Sequence, residues 1–425
     1  MLRGVVIVCV LARVAAASPM MTFSGDPHPG IHRETWEDTA VPWRARIVQI
    51  DLTSAEIAVY ATKESDRGLT VSAYADREAA QVAINGDAFS VANFTPRGLA
   101  MGASDVWSNT ADDDTSAVLH FRRVGETTAA GIIAAAPITT PADLPVGTEG
   151  VISGRPLVVS AGAVPASFDC TDDSVLACQR TPRTAVGLSA DGNTMYLVVV
   201  DGWQAGTIGM TATELGQFML AHGAYQAINL DGGSSSALNV DGNLISAPSD
   251  GVERAVANHL AVKYGSLPKG QLVGLICKHD VIGCSDDASR KLLGVKVYLD
   301  DGREFTTASG AELYDFTNVT QRYACVTAKK TGYITKTQCA QVTGTGLTYN
   351  SIAMWEGVDT PDAGVPMDAP TDENPDGGSG PHETSDGGNA QMGGGGGCCQ
   401  SSGGTDLSGI VIVALCFMRR RLPQA

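Results

Sequence analysis

Apolar and polar residues alternate with a period of two along much of this chain, and that period predicts strands. Ala45 to Leu52 reads A-R-I-V-Q-I-D-L, and Ala55 to Tyr60 repeats the alternation. Val82-Ala83-Ile84 and Gln226 to Leu230 are short buried strands, and Met195 to Val200 is apolar enough for a central one. Two segments carry the helical period instead. Val71 to Ala80 follows Thr70, and Thr211-Ala212-Thr213-Glu214 opens a second helix with a capping box that Gly223 closes just after His222. A break falls at Tyr264 to Gly270. Beyond it the pattern is strand and turn: Gly294 to Leu299 alternates, and Asp300-Asp301-Gly302-Arg303 is a hairpin turn. The expected class is α+β, a mixed-sheet domain with a few helices over 25–265 and a small all-β sandwich over 268–345.

The two ends fit neither part. Residues 1–17 read as a secretory signal: Arg3, an apolar run from Val5 to Leu11, then Ala15-Ala16-Ala17 as a cleavage site. Residues 357–405 read as a solvated linker, because Asp359 to Asp386 holds eight acidic residues, no Lys or Arg, and much Pro, Gly and Ser. Residues 406–425 add an apolar segment, Leu407 to Met418, too short for a bilayer span, and Arg419-Arg420-Arg421. The net charge of −17 comes without a basic stripe, which excludes a nucleic-acid partner. Away from the ends lie three sequence-local cysteine pairs, Cys170 with Cys178, Cys277 with Cys284, and Cys325 with Cys339. In an exported chain these suggest disulfides, though six cysteines allow fifteen connectivities. Zinc is the competing reading, weakened by the absence of C-x-x-C spacing.

Candidate chemistry gathers where apolar strands end. Asn229-Leu230-Asp231-Gly232-Gly233-Ser234-Ser235 delivers a carboxylate into two glycines and hydroxyls. Asn85-Gly86-Asp87, Arg183 before Thr184-Ala185-Val186, Asp201-Gly202 before Trp203, and Arg254 with Asn258 have the same placement. Each also has a plain structural reading. Asp231 could bond only its own turn, Arg183 and Arg254 could pair with Asp87 or Asp201, and Glu214 could serve only as a cap. Trp203 could stack on a sugar ring or be a core or rim residue.

In order, the motifs A-I-N-G-x-x-F, P-R-T-A-V-G, V-x-V-D-G, T-x-x-E-L, N-L-D-G-G-S-S and R-x-V-x-N span residues 82 to 262. This series resembles the phosphodiester glycosidases. The resemblance implies cleavage of a sugar from a phosphodiester at the anomeric carbon. Asp231 would be the catalytic carboxylate, oriented by Asn229 and the Gly232-Gly233 turn, and Arg183 and Arg254 a phosphate clamp. Asn85, Gly232, Gly233, Ser234 and Ser235 would bind sugar or phosphate, with Asp87 and Asp201 competing for a second carboxylate role. Asp87-Ala88 departs from the family pattern and leaves the pocket near Phe89 open. No cofactor is implied, though Asp87, Asp201 and Asp231 are the residues that could gather around calcium. The partner is a carbohydrate or sugar phosphate.

Two further resemblances concern the C-terminal half. Gly294 to Leu299 with its Asp-Gly turn, and Val326 to Tyr333, resemble carboxypeptidase regulatory-like domains, which usually act as spacers or adhesion modules. The Gly393 to Gly397 run, Cys398-Cys399, the apolar segment and the terminal arginines resemble the C-terminal sorting signals of myxobacterial surface proteins. That implies processing and anchoring at Cys398 or Cys399 by a sorting protease or transpeptidase-like machinery, membrane contact through this anchor alone, and an outer-membrane or cell-surface location. The alternative to the enzyme is a non-catalytic carbohydrate-binding or exopolysaccharide-related surface protein. An adhesin is a third.

Overall fold

The computed structural model describes residues 19–108, 117–134, 141–165, 176–279, 284 and 289–359. The signal-like start, Cys170, Cys398, Cys399, all but the first residues of the linker and the terminal apolar segment lie outside the described residues.

Alternation along two strands sets the architecture. In Trp43–Asp51, Ala45 and Ile47 face one way while Val48 and Ile50 face the other. In Thr194–Asp201, Met195, Leu197 and Val199 oppose Tyr196, Val198 and Val200. The two strands pair at the centre of a seven-stranded sheet. Met20–His28 and Ile31–Asp38 lie on one side of them, and Arg183–Leu188, Gln226–Asn229 and Leu157–Val159 on the other. A five-stranded sheet carries Val82–Asn85 between Leu238–Val240 and His259–Tyr264. Another carries Ala117–Val124 between Thr127–Ala134 and Gly150–Gly154. All three sheets share one interior, where Val48, Leu197 and Ile228 meet Ile84, Leu238 and Leu260 and also Leu119, Phe121 and Ile152.

The helices cover the outer faces. Helix α1 (Val71–Glu78) sets Val71, Tyr74 and Ala75 on Ala83 and Ala261, and α2 (Ala212–Ala221) sets Leu215, Phe218 and Met219 on Ala45, Ile47 and Val198. Each large side chain so buried contributes roughly 1.5–3 kcal/mol. Helix α1 stops short of Ala80 because Ala79 turns left-handed at φ +51°. At α2 the Glu214 N–H donates to Thr211 Oγ1 at 3.2 Å and the Thr211 N–H donates to Glu214 Oε2 at 3.0 Å, so Glu214 is spent on the cap. Thr211→Ala should cost about 1 kcal/mol, read as a lower denaturant midpoint; an unchanged midpoint would show that the Arg180–Glu214 ion pair holds the helix start alone.

The α+β, mixed-sheet expectation is corrected. Among the described residues only two α-helices stand beside 27 strands, and every sheet pairing between residues 20 and 264 is antiparallel. The fold is mainly β. Parallel neighbours need long crossovers, usually helical, and this chain supplies helical period in only two places. Segments without a legible period, such as 20–38, 117–134 and 150–159, form strands as well.

Residues 272–354 gather a separate apolar cluster that includes Leu272, Val297, Phe316 and Val326. It lies between strands of two four-stranded sheets, one containing Lys269–Lys278 and Leu313–Thr320, the other Lys296–Leu299 and Arg322–Lys329. The Asp-Gly turn is a hairpin, with Gly302 at φ +90°. Cys277 bonds Cys284 and Cys325 bonds Cys339, the second linking directly opposed residues of an antiparallel pair. Cys178 is also disulfide-bonded. Such bonds suit an extracellular or exported protein. Among the described residues no helix is long and apolar enough to cross a membrane.

Between this cluster and the larger core, Glu149 accepts a 2.7 Å hydrogen bond from the Tyr323 N–H. Beside it opens a cavity of about 770 Å³, lined by Tyr60, Lys63, Arg123, Lys263 and Arg322 among others, with Asp231 not in its wall. Burial pushes the Glu149 carboxyl up to about 7, against the opposing pull of the Tyr323 N–H and of Arg322 and Arg123. The folded state therefore binds the proton more tightly than the unfolded chain. Stability then falls as pH rises from about 4.5 to 7, by up to about 3 kcal/mol. Glu149→Gln should flatten that slope in melts at pH 5 and pH 7.5, and an unchanged slope would place its origin elsewhere.

Candidate active site

Three strand ends and one turn meet around Asp231. The Asp231 N–H donates to Gly86 O at 2.9 Å, the Leu230 N–H to Thr184 O at 2.8 Å, and the Gly233 N–H to Pro182 O at 2.9 Å. The buried Asn85 amide ties them together. Its Nδ2 donates to Asp231 O at 2.8 Å, and its Oδ1 accepts from Thr184 Oγ1 at 2.7 Å and from the Ala237 N–H at 3.2 Å. Asn85 therefore positions the Asp231 backbone and is closed off from a ligand. Gly86 has no room for a side chain, since a Cβ would lie 2.4 Å from Asn258 Oδ1. The sharp turn is made at Gly233, at φ +61°, while Gly232 stays extended and its N–H donates to Asp231 Oδ1 at 3.1 Å.

Asp231 is half-buried, and burial raises its carboxyl above the usual range. Opposing this are the Ser235 hydroxyl, the Gly232 N–H and the charges of Arg254 and Arg97. Both arginines are exposed. Arg254 Nη2 donates to Asp250 Oδ2 at 3.1 Å, and Asp250 Oδ1 accepts from Ser234 Oγ at 2.6 Å. An exposed pair of this kind holds little energy and leaves the guanidinium free to exchange partners. A half-buried carboxylate that feels two accessible cations can serve a site that binds a phosphate beside a reacting carbon.

The other residues singled out by sequence lie apart from this arrangement. Arg183 is buried and donates to the carbonyls of Met210 (3.0 Å), Leu176 (2.7 Å), Gln179 (2.9 Å) and Ala177 (3.4 Å), so it braces the loops around it. Burial lowers it to about 10. Asp201 is buried in a 2.7 Å ion pair with Arg46 and accepts from the Ala247 N–H. Asp87 is buried and accepts from the Ser153 N–H at 3.0 Å. Asn229 donates to Arg155 O and Leu230 O, so the amide that steadies Asp231 is Asn85. Among the described residues no three His, Cys, Asp or Glu side chains gather as a metal site, and Asp87, Asp201 and Asp231 do not form one. His259 is a neutral core residue, stacked on Tyr74 and lowered by burial to about 4.

Sequence reasoning missed Arg97. It follows Thr95–Pro96, which pairs with Phe89–Ser90 and so folds back beside the Asn85-Gly86-Asp87 corner. The signal was a lone Arg after Pro, too common to single out.

Residues 78–263 match the model of the phosphodiester glycosidase family. The SPbeta prophage-derived uncharacterized protein YomE of Bacillus subtilis (strain 168) is 41% identical over 83 residues, 20% of this chain. The chain covers 13% of that protein's length. Among solved structures, the catalytic domain of zebrafish N-acetylglucosamine-1-phosphodiester alpha-N-acetylglucosaminidase, auto-inhibited by its pro-peptide, is 20% identical with a TM-score of 0.43, over 59% of this chain and 85% of that one. A hypothetical protein from Synechocystis is 17% identical with a TM-score of 0.41, over 59% of this chain and 64% of that one.

Proposed function

We propose, from the phosphodiester glycosidase match at residues 78–263, that this protein is an exported, surface-anchored glycosidase. It would release a sugar from a sugar-1-phosphodiester, such as an N-acetylglucosamine-1-phosphodiester, in a polysaccharide or glycoconjugate. The observation that carries this is the half-buried Asp231 at the Gly232-Gly233 turn, within the electrostatic influence of the exposed arginines Arg254 and Arg97. As the bond from the anomeric carbon to the phosphate oxygen breaks, its electron pair leaves with the phosphate. Asp231 stabilises the positive charge left on the sugar, and the arginines neutralise the departing phosphomonoester. A water molecule then forms the new C–O bond at the anomeric carbon and gives up its proton to the phosphate or to solvent. That leaving group is good enough to depart without a strong general acid. Asn85 and the Gly232-Gly233 turn hold the carboxylate in place, with the Ser235 hydroxyl on Asp231 and the Ser234 hydroxyl on Asp250.

The signal-like start, the disulfides and the Cys398-Cys399 tail support export and anchoring, and the C-terminal β-region would serve as a carboxypeptidase regulatory-like spacer. A screen of the purified protein over sugar-1-phosphodiesters tests the reading, with free sugar as the expected product. A protein that binds polysaccharide yet releases sugar from none of them is the non-catalytic carbohydrate-binding alternative.

A further inference from the structure

We infer that Trp203 is the platform on which the pyranose ring of the substrate stacks. The site therefore takes sugars that present an unsubstituted C–H face beside the phosphodiester. The inference rests on reading Asp231 as the carboxylate at the anomeric carbon.

Trp203 is 54% exposed, yet it is held in place. Its six-membered ring lies against Gly233, two residues beyond Asp231, so closely that a Cβ there would be 2.9 Å from Cη2 and Cζ3. The loop that carries it is pinned from both sides. Asp201 before it is locked to Arg46, and Gln204 Nε2 after it donates to Ala247 O at 3.0 Å and Pro248 O at 2.7 Å. The same stretch, 247–254, supplies Asp250 and Arg254: Asp250 holds Ser234, next to Gly233, and the Arg254 charge acts on Asp231.

Folding does not account for this residue. Trp203 sits at φ +56°, a left-handed conformation that a bulky aromatic strongly disfavours and that Gly or Asn would take with less strain. Nor does burial repay it, since more than half of the side chain faces solvent. A rigid aromatic with two side-chain torsions loses little freedom on binding. Its face offers dispersion contact to the axial C–H groups of a sugar and nothing to a bare phosphate.

The experiment uses Asp231→Asn protein, with and without Trp203→Gly or Trp203→Phe, and titrates N-acetylglucosamine 1-phosphate and inorganic phosphate by calorimetry. Trp203→Gly should weaken the sugar phosphate about tenfold or more, Trp203→Phe should restore most of that, and phosphate should bind all three alike. Thermal stability should not fall with Trp203→Gly, because glycine relieves the left-handed backbone. Equal sugar-phosphate affinity with Trp and Gly overturns the inference, as does no measurable sugar-phosphate binding. The two readings fail separately. Hydrolysis by the otherwise wild-type chain with KM unchanged by Trp203→Gly removes the platform and keeps the enzyme. Trp203-dependent binding without hydrolysis by wild-type protein does the reverse.

Discussion

Asp231→Asn should abolish sugar release, by at least about a thousandfold, while leaving the protein folded and no less stable at neutral pH. The amide keeps an acceptor for the Gly232 N–H and Ser235 hydroxyl but removes the negative charge opposite the developing cation. The stability half of the expectation follows from linkage. Burial raises the Asp231 carboxyl, so the folded state holds its proton more tightly than the unfolded chain. Ionised Asp231 then costs stability that is lost as pH rises through the raised value, and asparagine escapes that cost. Activity should run the opposite way, growing as pH rises and Asp231 ionises. Steady-state rates and a melt of each protein check both halves. A variant that keeps its rate removes Asp231 from the chemistry. A variant that loses its rate only because it no longer folds leaves its far-ultraviolet spectrum as the witness.

Asn85→Ala should be among the most destabilising single changes near the site, by about 3–5 kcal/mol in urea unfolding. The amide is buried and satisfies three groups from three segments: Asp231 O, Thr184 Oγ1 and the Ala237 N–H. Alanine leaves all three without that partner in an interior that admits no replacement from bulk water, at about 1–3 kcal/mol for each group left unsatisfied. A loss below about 1 kcal/mol would show that the three find one another or a trapped water. The value of Asn85 thus lies in fixing where Asp231 stands.

Legibility differed by residue for physical reasons. The capping box at Thr211 and Glu214 and the Asp-Gly hairpin at Gly302 are local devices, and their sequence spacing is their geometry. The class of fold was not legible. Antiparallel and parallel sheets draw on the same apolar runs, and the strands of 117–134 and 150–159 show too little alternation to announce themselves. Arginines were the hardest to place. Arg183, Arg254 and Arg97 are chemically alike, and burial alone separated a brace bonded to four carbonyls from two guanidinium groups facing solvent.

By itself the sequence determined the strand ends at which polar groups would stand, the two helices, and a carboxylate running into Gly232-Gly233, because each depends on neighbours within a few residues. Which of those groups share a site was decided by tertiary structure. Asn85, Thr184 and Asp231 are far apart in the chain and meet only when separate antiparallel sheets close on one core. The same closure buries Asp201 and Asp87 and leaves Arg97, Trp203 and Arg254 at the surface. A side chain's charge and reach are written in the residue, but its solvent exposure and partners are properties of the packed chain.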